Sequence, residues 1–503
     1  MTNRSITFSA QSLAPQSAQW IRLSLRLLGL IAWLLLALLW VMTTGCRATA
    51  AAPTPTATVV PFPTFTPTPP IEPTATDVAV SPLPTALAAT HEMQLWIAYT
   101  AEGTLWLWQA GASRKLTTVD GDSPIAISTG RQWIAFRRAG GLWAITADGE
   151  EERLLISGDA IAELPTAQPD YPRRLHHFAW LPYAHRLIWT TSLHTPDLVD
   201  PKSVVGPNYF LGLNHDLYSV DVDTAQITQL AAPDRGGLFY PSPDGAWIVT
   251  VAPDRINLLR TDGSGERRLL DLPAILTYSE SPFYAKPLWA DDSHSLMVAV
   301  PPKDALALAP EPTTIWQLWT NGRAPTQLAH FVTGSATVSI APDLTRIAYA
   351  GRVNAQDPLT FHVANIDGAD NRIFHTDNGG GFTEWLPDSA HFVYQADNGG
   401  ATYLGHIDGR PPMPLGSYVM SSHRWVDAKQ FLFIPYGTTP DATVGLWLGV
   451  INEHGVVETR MIAASATTFD FVRLPPAVTA RPPRGPTGLI TLPAPRYFLH
   501  NSG

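Results

Sequence analysis

The feature that most constrains this chain is a unit that recurs between residues 91 and 475. Each copy reads as an apolar strand, a tight polar turn, a second strand, a loop, a third strand, another turn and a short fourth strand with Arg and Leu. The clearest copy is FYPSPDGAWIVTVAPDRINLLRTDGSGERRLL at 239–270. Asp244-Gly245 and Asp262-Gly263 are both good hairpin turns, because Gly tolerates positive φ and Asp hydrogen-bonds its own backbone. Further copies span 125–155, 338–374 and 384–415, and more degenerate ones begin at Phe178, Leu288 and Trp425. The strands alternate apolar and polar residues, and no long segment of helical period competes.

Four strands repeated about every 45 residues mark a β-propeller, in which each sheet buries its faces against its neighbours. The predicted fold is therefore all-β, with eight blades, or seven if one degenerate unit is not a blade. The ends support closure of the ring. The opening unit at 95–118 has three strands, and ATTFDFVRL at 466–474 is a strand with nothing after it. Pairing the two completes the first blade and removes two open sheet edges at once.

The repeats resemble the TolB-type propeller repeat, whose core is a Ser-Pro-Asp-Gly turn followed by an aliphatic strand. Ser242-Pro243-Asp244-Gly245 matches in full, Ala341-Pro342-Asp343 and Leu386-Pro387-Asp388 in part, and Asp291-Asp292-Ser293 weakly. The resemblance implies a fold. The shared residues build turns, and propellers serve many functions. TolB carries an α/β domain before its propeller, whereas this chain has a Pro/Thr-rich stretch there.

Residues 1–46 read as a signal peptide or membrane anchor. LLGLIAWLLLALLWVM at 27–42 holds no charge, Arg22 and Arg26 precede it, and the first acidic residue is Glu72. Positive charge stays on the cytoplasmic side, so the rest of the chain is expected outside the membrane, in the periplasm or at the cell surface. The run ends in Thr43-Thr44-Gly45-Cys46, which resembles the lipobox of bacterial lipoproteins, with Thr43 where that family prefers an aliphatic residue. Cys46, the chain's single cysteine, is then the candidate lipid attachment site. The alternative is an uncleaved anchor. Residues 47–90 hold 11 Thr and 10 Pro and read as an extended linker, and 476–503 as a Pro-rich tail.

Net charge narrows the partners. The whole chain carries −10, which becomes −13 once Arg4, Arg22 and Arg26 are set aside. Such a body is repelled by phosphate backbones, so nucleic-acid binding is excluded as a reading. No Gly-x-Ser-x-Gly elbow, sialidase Asp-box, phosphate loop, His-x-x-x-His or cysteine pair occurs, so no catalytic residue, metal site or cofactor is assigned. Neighbours in a strand point to opposite faces, so His176 and His177 are not expected to share a metal.

Geometry supplies the functional pointer. In a four-stranded antiparallel blade, the first and third turns lie on one face of the disc. The second loop and the link to the next blade lie on the other. The long insertions at 156–177, 193–215, 271–286, 301–314, 351–359 and 436–444 are all of the second kind, so they are expected on one face, which should carry the principal pocket or interaction surface. Candidate ligand-binding residues there are Asp170, Tyr171, Arg173, Arg174, His194, Tyr209, Phe210, Asn214 and His215. The expected role is a membrane-tethered, non-catalytic module that binds a protein, peptide or glycan. The alternative is a propeller enzyme acting on polysaccharide, a glycosidase or lyase, which a crowded acidic cluster at the channel mouth would favour.

Overall fold

In the computed structural model, the described residues run from 95 to 473, apart from 120, 167, 197–208, 306, 308–310, 332–337, 352–359, 376–380, 396–401, 417–419, 436–444 and 453–455. The anchor, Cys46, the linker and the tail lie outside them. Among the described residues no helix is long and apolar enough to cross a membrane.

The strands form eight antiparallel sheets, and these are the eight blades of a propeller. Blade 4 shows the plan. Leu238–Pro241 is innermost, followed outward by Trp247–Ala252, Arg255–Arg260 and Arg267–Asp271. Blade 1 is built from both ends of the described chain. Leu95–Ala101, Thr104–Gln109 and Ala112–Lys115 form its outer three strands, and Ala466–Arg473 supplies the innermost. In register, Phe469 lies opposite Tyr99 and Val472 opposite Trp96. The expected closure is therefore present, and the seven-bladed alternative is excluded.

The core explains why the ring is one body. Among the described residues the buried apolar side chains fall into eight clusters, each spanning one pair of neighbouring blades. Trp133, Leu142 and Ile156 of blade 2 meet Phe178, Trp189 and Val220 of blade 3. At the seam, Leu95, Ile97 and Tyr99 of blade 1 meet Leu432, Ile434 and Leu448 of blade 8, and Phe469 joins them. No blade has a core of its own, so burial is gained only between sheets.

Tryptophan ties the inner strands together. Trp180, Trp289 and Trp385 each end an innermost strand. Each donates its indole N–H to a carbonyl of the preceding blade's innermost strand, on Ala126, Tyr240 and Ser339 respectively, at 3.0, 3.0 and 3.3 Å. These strands present an unpaired edge to the channel, and the indole satisfies part of it while filling the space between blades.

In blades 4, 5 and 7 the first turn holds a left-handed residue at its fourth position. Gly245 supplies it at φ 70° in blade 4, and a Cβ there would sit 2.8 Å from the Pro182 carbonyl of blade 3. Blades 5 and 7 use Ser293 and Ser389, at φ 59° and 56°. Their hydroxyls accept the backbone N–H of Asp244 and Asp343 from the preceding turn, at 3.0 and 2.9 Å.

Candidate functional site

Chain order and pairing fix which end of each sheet a connection occupies. The strands flanking every long insertion meet it at the same face of the disc, and the Asp-Gly turns occupy the other. Leu95 and Arg473 are register partners at the short-turn face, so they stand where blade 1 would otherwise have its first turn.

On the loop-rich face, blade 3 departs most from the plan. Its second strand, Arg186–His194, pairs along one edge with the innermost strand Arg173–Trp180. Its other edge pairs with Leu217–Asp221 near the start and Phe210–Leu213 near the end. The break between those two is held by Asp216. Its buried carboxylate accepts from the hydroxyls of Thr190 and Thr191, the N–H of Thr191 and the amide of Asn214, at 2.9, 2.5, 2.8 and 2.8 Å. Four neutral donors around one carboxylate stabilise the bulge that lets this blade extend beyond the others.

The nine candidate residues separate into groups. Arg173, Arg174, His194 and Phe210 belong to strands, which corrects their reading as loop residues, because the sheet of blade 3 runs on toward this face. Asn214 is buried, bonded to Asp216 and to the Pro165 carbonyl at 3.2 Å, and accepts from the Thr166 hydroxyl at 3.0 Å. It is part of the scaffold. His215 stacks on Tyr284 with Nε2 2.9 Å from the phenol oxygen, and burial holds its pKa below the usual histidine value. Arg173 donates to the Ala162 carbonyl, at the end of the short helix Gly158–Ala162. Tyr209 donates to Glu280 at 3.2 Å, and Asp170 and Tyr171 lie on the link from blade 2, Asp170 exposed and Tyr171 half-buried.

Arg174 and His194 come together. They line a cavity of about 300 Å³ between blades 2 and 3 with Leu175, Arg137 and Gly140. The Arg137 guanidinium is bracketed by the carbonyls of Ser123 and Leu175, at 3.2 and 3.4 Å, which fixes it across the blade interface. His176 stacks on Phe210 with 5.7 Å between ring centres, and His194 meets the same ring edge-on at 5.8 Å. Burial pushes the His176 pKa down, and the neighbouring charges of His177, His194 and Arg137 add to the effect. His177 turns instead to Phe239 of blade 4, so the adjacent pair does diverge. Arg137 and His176 were not among the sequence candidates. Arg137 lies 37 residues from Arg174 in the chain, and only the adjacency of blades 2 and 3 joins them.

A larger cavity, about 550 Å³, opens on the short-turn face among blades 1 to 3, lined by Trp96, Arg131, Trp133, Glu151, Arg153 and Asp223 among others. It is the larger of these two cavities, and it lies away from the long loops. Its charges are largely internally matched. Arg153 pairs with Glu151 and approaches Asp223 at 3.8 Å, and His185 stands 3.0 Å from Asp223. Arg131 and Arg153 lie over the rings of Trp96 and Trp133.

The inner strands carry two further carboxylates, Glu384 and Asp470, in blades 7 and 1. Glu384 lies 2.5 Å from Nε2 of His423, without the alignment of a hydrogen bond. Asp470 pairs with Arg424 of blade 8 and accepts the Ile127 N–H of blade 2 at 2.8 Å. Each therefore joins neighbouring blades. Among the described residues no group of three His, Cys, Asp or Glu side chains is arranged to hold a metal ion.

No family model matches the sequence, and no curated protein matches it. Solved propeller structures do resemble the chain. An oligogalacturonate lyase from Vibrio parahaemolyticus is 13% identical over 62% of this chain and 91% of its own, with a TM-score of 0.37. TolB from Acinetobacter baumannii is 13% identical over 56% and 62%, with a TM-score of 0.27. The β-propeller domain of the Trilobed protease from Pyrococcus furiosus is 11% identical over 58% and 85%, with a TM-score of 0.37.

Proposed function

We propose that this chain is a membrane-tethered, extracytoplasmic binding module whose loop-rich face receives a protein or peptide partner. Residues 1–46 hold it at the membrane, with lipid on Cys46 in the lipoprotein form, and residues 47–90 act as a stalk. The propeller body occupies 91–475, and residues 476–503 are a tail. Leu95 and Arg473 are register partners at the short-turn face of blade 1.

One observation carries the choice of partner. On the loop-rich face Tyr209, Phe210, Leu211, Leu276 and Tyr278 are between 41% and 64% exposed. Leu276 and Tyr278 belong to the link that the Tyr209–Glu280 hydrogen bond ties to blade 3. Grouped large apolar side chains open to water are characteristic of protein-binding surfaces, where aromatic residues dominate the binding energy. Glu384 faces His423 and Asp470 pairs with Arg424, each across a blade boundary, which supports a non-catalytic reading.

The test is site-specific photo-crosslinking in the native cell. A photoreactive phenylalanine at position 210 is expected to yield one dominant adduct. The same group at Ile373, exposed on the outer strand of blade 6, is expected to yield none. Equal yields at both positions would reject the assignment of the face.

A further inference from the structure

Where the second strand of a blade leaves the first turn, its first residue lies opposite the last residue of the third strand. The two side chains then share one face of the sheet and touch. In blade 3 this pair is Arg186 and Asp221, 3.9 Å apart, and in blade 4 Arg260 lies over Trp247, 4.6 Å from the ring centre. Both are complementary pairs. In blade 7 the same place holds two histidines. His391 and His406 are register partners, and their rings meet edge to face with 4.5 Å between centres. Their side chains are 26% and 16% exposed, so water reaches both.

Each imidazole has its own carboxylate. Asp388 Oδ2 stands 2.6 Å from Nδ1 of His391, and Asp408 Oδ1 stands 2.6 Å from Nδ1 of His406. The Asp408 N–H lies 3.1 Å from the same His406 nitrogen, but the carboxylate is nearer and charged, so it selects the tautomer with hydrogen on Nδ1. Both carboxylates are anchored in turn. Asp388 accepts the N–H groups of Ala390 and His391 at 3.1 and 3.0 Å, and Arg410 clamps Asp408 through Nε and Nη2 at 2.9 and 2.5 Å. With Nδ1 donating, the lone pair of each neutral ring lies on Nε2. A histidine that binds a metal through one ring nitrogen characteristically donates the other N–H to a carboxylate, which orients the ring and makes it a stronger ligand. Blade 7 presents two such histidines side by side. Protonating both instead would set like charges directly opposite one another across the strands, which is unfavourable.

We propose that His391 and His406 form a two-imidazole site for a divalent transition-metal ion that favours nitrogen ligands, copper(II) or zinc(II), with water completing its coordination. Asp388 and Asp408 are positioning residues that hold the two rings. The ion links the second and third strands of blade 7 at the short-turn face. The site is therefore independent of the partner assigned to the loop-rich face.

The experiment is isothermal titration of the full-length protein in nonionic detergent and a non-coordinating buffer, after removal of metal by chelation and dialysis. The probes are the chlorides of copper(II), zinc(II) and calcium. Saturable one-to-one binding of copper(II) or zinc(II) is expected, copper(II) the tighter, as nitrogen donors rank them. Calcium, which takes oxygen ligands, should neither bind there nor compete. His391→Gln and His406→Gln are each expected to weaken binding by about tenfold or more, since losing even a supporting partner of a metal-bound histidine costs about 10–100-fold. His294→Gln, whose side chain is 80% exposed on the first turn of blade 5, is expected to change it by less than about twofold. If one of the blade 7 variants alters the circular dichroism, the other serves in its place. Electron paramagnetic resonance of the copper(II) complex should show nitrogen coupling from two imidazoles in wild type and from one in either variant. No saturable binding of copper(II) or zinc(II) by wild type, equal losses in the His294 variant, displacement by calcium, or coupling to fewer than two imidazoles in wild type would each overturn the proposal.

Discussion

Truncating Phe469 probes the seam of the ring. Phe469 is 7% exposed and lies opposite Tyr99 in the cluster shared by blades 1 and 8. Phe469→Ala removes most of a buried aromatic side chain and leaves a cavity, which costs about 3–5 kcal/mol. A matched control is Phe239→Ala, 5% exposed on the innermost strand of blade 4, with a similar expected cost. The two differ in connection. The blade 4 strand continues into its own sheet through the Ser242–Gly245 turn, whereas Ala466–Arg473 is joined to blade 1 only by pairing and packing. Local opening at the seam therefore needs only this one strand to leave. Urea unfolding followed by tryptophan fluorescence should show lowered midpoints for both variants. Limited proteolysis with mass spectrometry should show cleavage within 466–473 for Phe469→Ala and none there for Phe239→Ala. A Phe469→Ala midpoint within about 0.5 kcal/mol of wild type, the size of a surface substitution, would refute the reasoning.

Two further outcomes follow from charge. Asp122 is fully buried against Arg138, so Asp122→Ala should cost about 3–5 kcal/mol by leaving a buried guanidinium half-answered, and adding Arg138→Met should restore part of it, both read from urea midpoints. Burial holds the pKa of His176 and His177 below the unfolded value of about 6.5. The unfolded chain then binds more protons than the folded one once pH falls below that value. Stability should be full above about pH 6.5 and decline on acidification, and His177→Gln should flatten that slope.

The fold was largely legible because its determinants are local. Asp244-Gly245 and Asp262-Gly263 mark hairpins by their own backbone needs, and the three-strand opening unit with its orphan partner at 466–474 announces closure. The site was legible only in part. Arg174 and His194 were visible as polar residues in a long irregular stretch, but their strand placement depends on the bulge built around Asp216. Arg137 looked like one of many strand arginines. Its place at the site arises from which blade stands beside it, since it lines the cavity with Arg174 and His194 of blade 3. A signal was nevertheless present. Serine in place of Gly245, at Ser293 and Ser389, has a hydroxyl that caps the preceding turn, a pairing that needs the blades in order.

Hydrogen–deuterium exchange across the seam measures ring closure most directly. Amides of 469–472 should exchange as slowly as those of 96–99, and Phe469→Ala should release the first group far more than the second. Fast exchange throughout 466–473 in the wild-type protein, with 96–109 still protected, would show an open blade 1 and contradict the closed propeller.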